Sequence, residues 1–152
     1  MARRKTFLLV EDDEYDVLFL QTEFGKANIN VQLRIVSDGA MARQYLESAG
    51  DHGDREKHPL PDVILVDLHL PRVDGFEFLE WLRSRSPGQQ RYIPVVMISS
   101  SEQPEDVLRA YTLGASSYVI KPVNWQECRE RIRALGVYWA AHAETPRLKT
   151  AS

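Results

Sequence analysis

The stretch DVILVDLHLPRVDGFEFL, residues 62–79, joins a short apolar run to an amphipathic pattern through a polar turn. An unbroken apolar run of this length is typical of a strand buried on both faces, so residues 62–66 are predicted to be a central strand. Asp74 and Glu77 have the spacing of a capping box, which predicts a helix over about residues 75–85. A strand, a turn and a helix in this order form one unit of an α/β fold.

The same alternation of strands and helices extends to both sides of this unit. Apolar runs predict strands at residues 6–10, 31–36, 94–98 and 117–120, and helical spacing predicts helices at 14–26 (closed by Gly25), 40–49, 104–113 and from 124 onwards. Short connections between these elements imply parallel strands with helices on both faces. Because five such units are too few for a closed eight-stranded barrel, the prediction is a flavodoxin-like, doubly wound α/β fold, (βα)5, with strand order 2-1-3-4-5.

Length and composition exclude several classes of protein. The chain has 152 residues, a net charge of −3 and 43% hydrophobic residues, which is typical of one folded domain and not of a disordered chain. The single cysteine, Cys128, leaves a reducing cytoplasm as the expected location. No apolar run reaches the roughly 18 residues of a membrane span, and the mild negative charge argues against broad binding to nucleic acid. Residues 1–141 are expected to form the domain, residues 142–152 a flexible tail, and residues 50–61 a polar loop.

Polar side chains follow the predicted strands at the carboxyl edge of the sheet, where open α/β folds bind their ligands. Glu11 and Asp12 follow strand 1, Asp67 follows strand 3, Ser99 follows strand 4 and Lys121 follows strand 5. Strands 1 and 3 are neighbours in the predicted order, so the three carboxylates converge and need a cation to relieve their repulsion. Oxygen ligands select a hard cation such as Mg²⁺, and the hydroxyl and the lysine can bind phosphoryl oxygens. Asp67 is then a candidate nucleophile towards phosphorus, giving an aspartyl phosphate.

With these residues in view, the chain resembles the receiver domains of two-component response regulators, which have the CheY-like fold. The resemblance rests on the motifs LLVEDD, DVILVDLHLPRVDGFEFL, PVVMISSS and GASSYVIKP, and it spans roughly residues 6–141. It implies that Asp67 is the phosphoacceptor. It also implies that Glu11, Asp12 and Asp67, together with the backbone carbonyl of His69, hold Mg²⁺ beside the acceptor.

The same resemblance implies a switch and its partners. Ser99 would be the switch hydroxyl, Tyr118 the switch aromatic and Lys121 the phosphate-binding lysine, and receivers commonly have a cis peptide at the position of Lys121–Pro122. The LPRVDG turn, the polar insertion before strand 3 and the aromatic last helix are similar to those of single-domain regulators that work with phytochrome-type histidine kinases. Phosphorylation would alter the face of helix 4, strand 5 and helix 5, for partner binding or for a homodimer. The protein would catalyse its own phosphotransfer and dephosphorylation without being a turnover enzyme, and no nucleic-acid or membrane partner is expected.

The residues alone leave three alternatives open. A phosphohydrolase of the haloacid-dehalogenase type would also form an aspartyl phosphate, but it has a second Asp two residues after the nucleophile, where this chain has His69. A flavodoxin-type FMN carrier would need a hydroxyl- and glycine-rich loop after strand 1, where this chain has Glu-Asp-Asp. A receiver-like module that no longer accepts phosphate would act by contact alone, although the acceptor, the acid pair, the hydroxyl and the lysine are all present.

Overall fold

A computed structural model describes residues 3–47 and 57–148 of the chain. Its strands are β1 (Lys5–Val10), β2 (Val31–Val36), β3 (Val63–Asp67), β4 (Val95–Ser99) and β5 (Ser117–Ile120). Its α-helices are α1 (Glu14–Lys26), α2 (Gly39–Glu47), α3 (Gly75–Ser84), α4 (Pro104–Thr112) and α5 (Trp125–Val137), with a 3₁₀ turn at Gln90–Tyr92 and a π-helical turn at Tyr138–His142.

The five strands form one sheet in the order β2-β1-β3-β4-β5, and every neighbouring pair is parallel. This confirms the predicted fold class and strand order. Alternate residues of the central strands point to opposite faces of the sheet, as the period of a strand requires. The two faces therefore carry separate apolar layers.

One apolar layer lies between the sheet and α2 and α3, and the other lies between the sheet and α1 and α5. The first contains Leu8, Ile64, Val66, Leu79, Leu82 and Met97, and the second contains Phe7, Leu9, Leu65, Phe24, Ile132 and Leu135. The central strands β1, β3 and β4 contribute to both layers, which explains why their sequences read as continuous apolar runs. Helices on both faces leave the carboxyl edge of the sheet open for a site.

A buried carboxylate also joins α1 to α5. The Glu23 side chain is 3% exposed and lies between two arginines of α5, with its Oε1 at 3.4 Å from Arg129 Nε and its Oε2 at 2.9 Å from Arg133. Charged groups inside a protein need such partners because burial removes their hydration. The sequence patterns gave no indication of this contact, since Glu23 lies inside α1 and its two partners follow more than 100 residues later in the chain.

Several predicted boundaries move by a residue. Helix α1 has the predicted bounds, 14–26, but the closing role predicted for Gly25 is wrong. Strands β3 and β4 each include one residue more than predicted at their carboxyl ends, so Asp67 and Ser99 are themselves the last strand residues. Helix α1 continues through Gly25, and the chain turns at Asn28, which has a φ of 54°. Asparagine tolerates this left-handed conformation because its short polar side chain can bond locally, so a glycine is not required there.

The cis peptide expected at Lys121–Pro122 is not found. All peptide bonds among the described residues are trans, this one included. The trans form is the lower-energy form of an X–Pro bond by about 0.5–1 kcal/mol.

Some sequence predictions fall partly outside the described residues. These are the end of the second helix at 48–49, residues 50–56 of the polar loop, and residues 149–152 of the tail. Before residue 149, Lys5 Nζ donates to the carbonyls of Trp139 and Ala143, and Leu148 packs against the first apolar layer. A domain boundary at residue 141 stays a prediction. None of the helices in the described part of the chain has the length and apolar character needed to cross a membrane.

Candidate functional site

The sheet brings the predicted site residues to one edge. Val10 pairs with Val66, so Glu11 and Asp67 occupy equivalent positions at the ends of adjacent strands. Ser99 pairs with Ile120, and the backbone N–H of Lys121 donates to the Ser99 carbonyl at 2.8 Å. The register of the strands therefore fixes the backbone of these residues before any side chain is considered.

The three predicted metal-binding carboxylates lie together. Glu11, Asp12 and Asp67 each offer one oxygen, and these oxygens lie within 4.8 Å of one another. Glu11 is buried, Asp67 is mostly buried and Asp12 is exposed, so the cluster opens to solvent on one side. Glu11 Oε2 is buried and has no hydrogen-bond partner among the described residues. An orphaned carboxylate oxygen inside an all-oxygen cluster fits a divalent cation, which would satisfy it.

His69 contributes its backbone next to the acceptor. Its N–H donates to Asp67 Oδ1 at 3.2 Å, and its side chain is exposed. The β3–α3 turn can stay close to Asp67 because α3 begins with a glycine. An added Cβ at Gly75 would lie only 2.5 Å from the Asp67 carbonyl oxygen. A ligand role for the His69 carbonyl stays a prediction.

Lys121 contacts three carboxylates, one of which the sequence analysis missed. Its Nζ lies 3.2 Å from Glu11 Oε1, 3.5 Å from Asp67 Oδ2 and 3.0 Å from Asp16 Oδ2. Asp16 belongs to α1 and not to the end of a strand, so a search of strand ends does not find it. The available signal was the N-cap at Asp13, which places Asp16 in the first turn of α1 above the sheet edge.

The electrostatics of the cluster reflect its crowding. Burial, with hydrogen bonds to Asp16 and Asp67, raises the pKa of Glu11 to about 9. Burial alone would lower the pKa of Lys121, but the carboxylates of Asp67, Glu11 and Asp16 outweigh it and raise that pKa. Burial alone would raise the pKa of Asp16, but hydrogen bonds from Glu11 and Lys121 outweigh it and lower that pKa. A proton on Glu11 and the charge of Lys121 thus relieve the repulsion that a cation would otherwise relieve.

The predicted switch residues are linked through Ser101, which the sequence analysis did not single out. Ser99 is fully buried, and its Oγ accepts from the Ser101 N–H at 3.1 Å. The Tyr118 hydroxyl donates to the Ser101 carbonyl at 3.0 Å, and Ser101 Oγ donates to Asp106 in the first turn of α4. Ser99, Tyr118 and the start of α4 therefore share one hydrogen-bonded loop.

A second turn borders the site on the opposite side. Arg72, in the β3–α3 turn, has a φ of 64°, and its Nε donates to Asp38 Oδ2 at 2.9 Å. Asp38 also accepts from the Met41 N–H at the start of α2. Burial alone would raise the pKa of Asp38, but the hydrogen bonds from Met41 and Arg72 outweigh it and lower that pKa. The pair ties the turn that carries His69 to the neighbouring β2–α2 turn.

A five-stranded parallel sheet with an acidic triad, a hydroxyl and a lysine at its carboxyl edge defines a class of signalling domain. The response regulator receiver domain family matches residues 7–133, and the chain belongs to this family. It is therefore a receiver domain of two-component signalling. Family membership decides against the phosphohydrolase and flavodoxin alternatives.

Several individual response regulators are similar to this chain over nearly its full length. Response regulator Rcp1 of Synechocystis sp. is 32% identical over 142 residues, which cover 93% of this chain and 93% of Rcp1. The Mn²⁺-bound form of Rcp1 superposes with a TM-score of 0.85 at 30% identity, over 94% of this chain and 99% of that one. The phosphorylated cyanobacterial phytochrome response regulator RcpA gives a TM-score of 0.86 at 29% identity, over 95% and 100% of the two chains. The bacteriophytochrome response regulator RtBRR gives 0.73 at 41% identity, over 95% and 85%.

Proposed function

We propose that this receiver accepts a phosphoryl group from a histidine kinase onto Asp67, with Mg²⁺ as its cation. The observation that carries the proposal is the cluster of Glu11, Asp12 and Asp67 with Lys121 Nζ at 3.5 Å from Asp67 Oδ2. Glu11, Asp12, Asp67 and the His69 carbonyl are the proposed ligands. When bound, the cation supplies positive charge beside the phosphoryl oxygens.

The transfer itself uses the side chains at the sheet edge. A carboxylate oxygen of Asp67 attacks phosphorus, the bond from phosphorus to the kinase histidine breaks, and its electron pair returns to the imidazole nitrogen. Lys121 then pairs with one phosphoryl oxygen, and the Ser99 hydroxyl donates to another. The resulting acyl phosphate is hydrolysed at the same site, so the domain catalyses its own phosphotransfer and dephosphorylation.

The proposed output follows from the Ser99 hydroxyl. We propose that the Ser99 side chain turns towards the phosphoryl group to donate to it. This movement takes its oxygen away from the Ser101 N–H and releases the loop that carries the Tyr118 acceptor and leads to α4. The face formed by α4, β5 and α5 then changes. Leu108 and Tyr111 of α4 are exposed, which suits contact with a partner or with a second copy of the chain.

The proposed kinase is of the phytochrome type. The names of RcpA and RtBRR describe them as phytochrome and bacteriophytochrome response regulators, and both cover 95% of this chain. Resemblance over nearly the full chain supports the same class of partner here. The exposed His69 stands beside the acceptor at the surface that such a kinase must approach.

Phosphotransfer from a purified phytochrome-type histidine kinase tests the function. We expect Mg²⁺-dependent labelling of the wild type and none of Asp67→Asn. The Asp67 variant is expected to fold at least as stably as the wild type, because it removes one of three repelling carboxylates. Asp74→Asn is the matched control, since Asn keeps the N-cap of α3 and the label should persist. Equal labelling of Asp67→Asn and wild type would overturn the assignment.

Sedimentation velocity tests the proposed output. With Mg²⁺ and beryllofluoride, a phosphoryl mimic, the wild type is expected to change its association state, and Leu108→Glu is expected to abolish that change. Leu108 is 69% exposed, so the charge can be introduced without disturbing the core. If the sedimentation coefficient does not change at beryllofluoride concentrations where the mimic is bound, a phosphorylation-dependent homodimer is ruled out. This face would then contact a different partner.

A further inference from the structure

Lys121 is held most closely by a residue that lies outside the acidic triad. Its Nζ lies 3.0 Å from Asp16 Oδ2, closer than to Glu11 or to Asp67. Asp16 projects from the first turn of α1, whereas the triad lies at the sheet edge. The lysine that is proposed to bind the phosphoryl group is therefore anchored to a neighbouring helix.

The backbone of Lys121 is held in place, so only its side chain is free to move towards a phosphoryl group. Its N–H donates to the Ser99 carbonyl at 2.8 Å, which fixes the residue at the end of β5. A phosphoryl group on Asp67 adds a charge of roughly −1.5 to −2 within reach of Nζ. A contact between Nζ and that group competes with the ion pair between Nζ and Asp16, because three carboxylates already share the ammonium group and Asp16 is the nearest of them.

We propose that Asp16 is a positioning residue that holds Lys121 in the unphosphorylated arrangement and so opposes phosphorylation. The inference rests on the proposed function and names a regulatory residue of the same site. Two effects of Asp16 both disfavour the phosphorylated state. A phosphoryl group draws Lys121 away from Asp16 and so weakens the Asp16–Lys121 ion pair, and the Asp16 carboxylate repels the incoming phosphoryl oxygens.

Beryllofluoride binding in the presence of Mg²⁺ measures this effect at equilibrium. Asp16→Asn is expected to bind beryllofluoride about two- to fivefold more tightly than the wild type, because the Asp16 side chain is 45% exposed and ion pairs of that exposure are weak. The affinity for Mg²⁺ alone, measured by calorimetry, is expected to fall, since one negative charge beside the cluster is removed. A loss of structure would weaken both ligands, so opposite changes identify the positioning role.

Two further variants complete the design. Glu14→Gln removes an exposed carboxylate from the same turn of α1 and is expected to leave beryllofluoride binding unchanged. In a Lys121→Met background, Asp16→Asn is expected to give a smaller gain than in the wild type, because the ion pair is already absent and only the direct repulsion by Asp16 remains.

The outcomes separate the inference from the function on which it rests. A wild type that binds no beryllofluoride overturns the proposed function, and the inference with it. A wild type that binds beryllofluoride, with equal or weaker binding by Asp16→Asn, overturns the inference alone. The same gain with and without Lys121 would also overturn it, because the effect would then be direct repulsion and not positioning.

Discussion

Replacement of Arg72 separates two effects that oppose each other in the turn after β3. The φ of 64° costs a residue with a side chain about 1 kcal/mol or more relative to glycine. The guanidinium pairs with Asp38, whose side chain is 5% exposed. Arg72→Ala therefore loses the pair and keeps the unfavourable backbone. Arg72→Gly loses the same pair but relieves the backbone.

The size of each effect follows from exposure. Arg72 is 65% exposed, and Asp38 keeps its hydrogen bond from the Met41 N–H at 2.8 Å when Arg72 is removed. The pair is then worth about 1–2 kcal/mol, between an exposed ion pair and a buried charged hydrogen bond. Arg72→Ala should lower the free energy of unfolding by about that amount, and Arg72→Gly by about 1 kcal/mol less. For a chain of this length, about 2–4 °C in Tm separates the two variants.

The contribution of this pair also depends on pH. The pKa of Asp38 is lowered in the folded state relative to its ordinary value of 3.8, so the folded protein binds fewer protons there than the unfolded chain. The stabilisation is fully present above that ordinary value and disappears as pH falls through the lower folded-state pKa. The difference between wild type and Arg72→Ala should therefore be constant near neutrality and shrink below about pH 4.

Urea unfolding at pH 7, followed by circular dichroism, measures these differences. Arg43 is the matched control because it lies inside α2, where alanine is favoured over glycine by about 1 kcal/mol. The order of the alanine and glycine variants should thus reverse between the two positions. If Arg72→Gly were the less stable of its pair, as in a helix, the assignment of backbone strain to Arg72 would be refuted.

Two other predictions concern buried carboxylates. Glu23→Gln should lower the free energy of unfolding by about 1–3 kcal/mol, because it removes a buried charge between Arg129 and Arg133. As a control, Glu130→Gln on the exposed side of α5 should change the free energy of unfolding by less than about 0.5 kcal/mol. Equal effects in urea unfolding would contradict the buried pair. Burial raises the pKa of Glu11 to about 9, so between pH 4.5 and 9 the metal-free folded state holds a proton that the unfolded chain lacks, and its stability should fall as pH rises. Because Mg²⁺ must displace this proton, the Mg²⁺-induced rise in Tm should be larger at high pH than at low pH; an equal rise across this window would count against a protonated Glu11.

The fold was predictable from sequence because its signals are local and periodic. The boundaries of β2 and β5 match the predicted strands to the residue, and the N-cap of α3 is Asp74, as the capping-box spacing predicts. The site was predictable to the extent that it lies at strand ends. Glu11, Asp12 and Asp67 converge because parallel strands share a carboxyl edge, which sequence order alone determines.

The missed contacts depend on packing between elements that are distant in the chain. Asp16 of α1 reaches Lys121, the residue after β5, across a separation of 105 residues in the chain. The left-handed conformation of Arg72 likewise depends on the neighbouring turn that holds Asp38. No period or motif encodes such contacts, since each is the product of two elements whose relative placement is set by the core.

The two side chains proposed to contact the phosphoryl oxygens each have another partner in the unphosphorylated protein. Lys121 pairs with Asp16 on α1, and Ser99 accepts from Ser101 at the start of the loop to α4. In the proposed mechanism, phosphorylation therefore competes with one contact to α1 and with one contact inside the loop that leads to α4. Since each contact stabilises the unphosphorylated arrangement, removing either one should shift the equilibrium towards the phosphorylated arrangement by the free energy of that contact. Only the Ser99 contact is linked, through Ser101, to Tyr118 and to Asp106 of α4, so the change in the exposed surface is expected at α4. The Asp16 contact instead affects the free energy of phosphorylation.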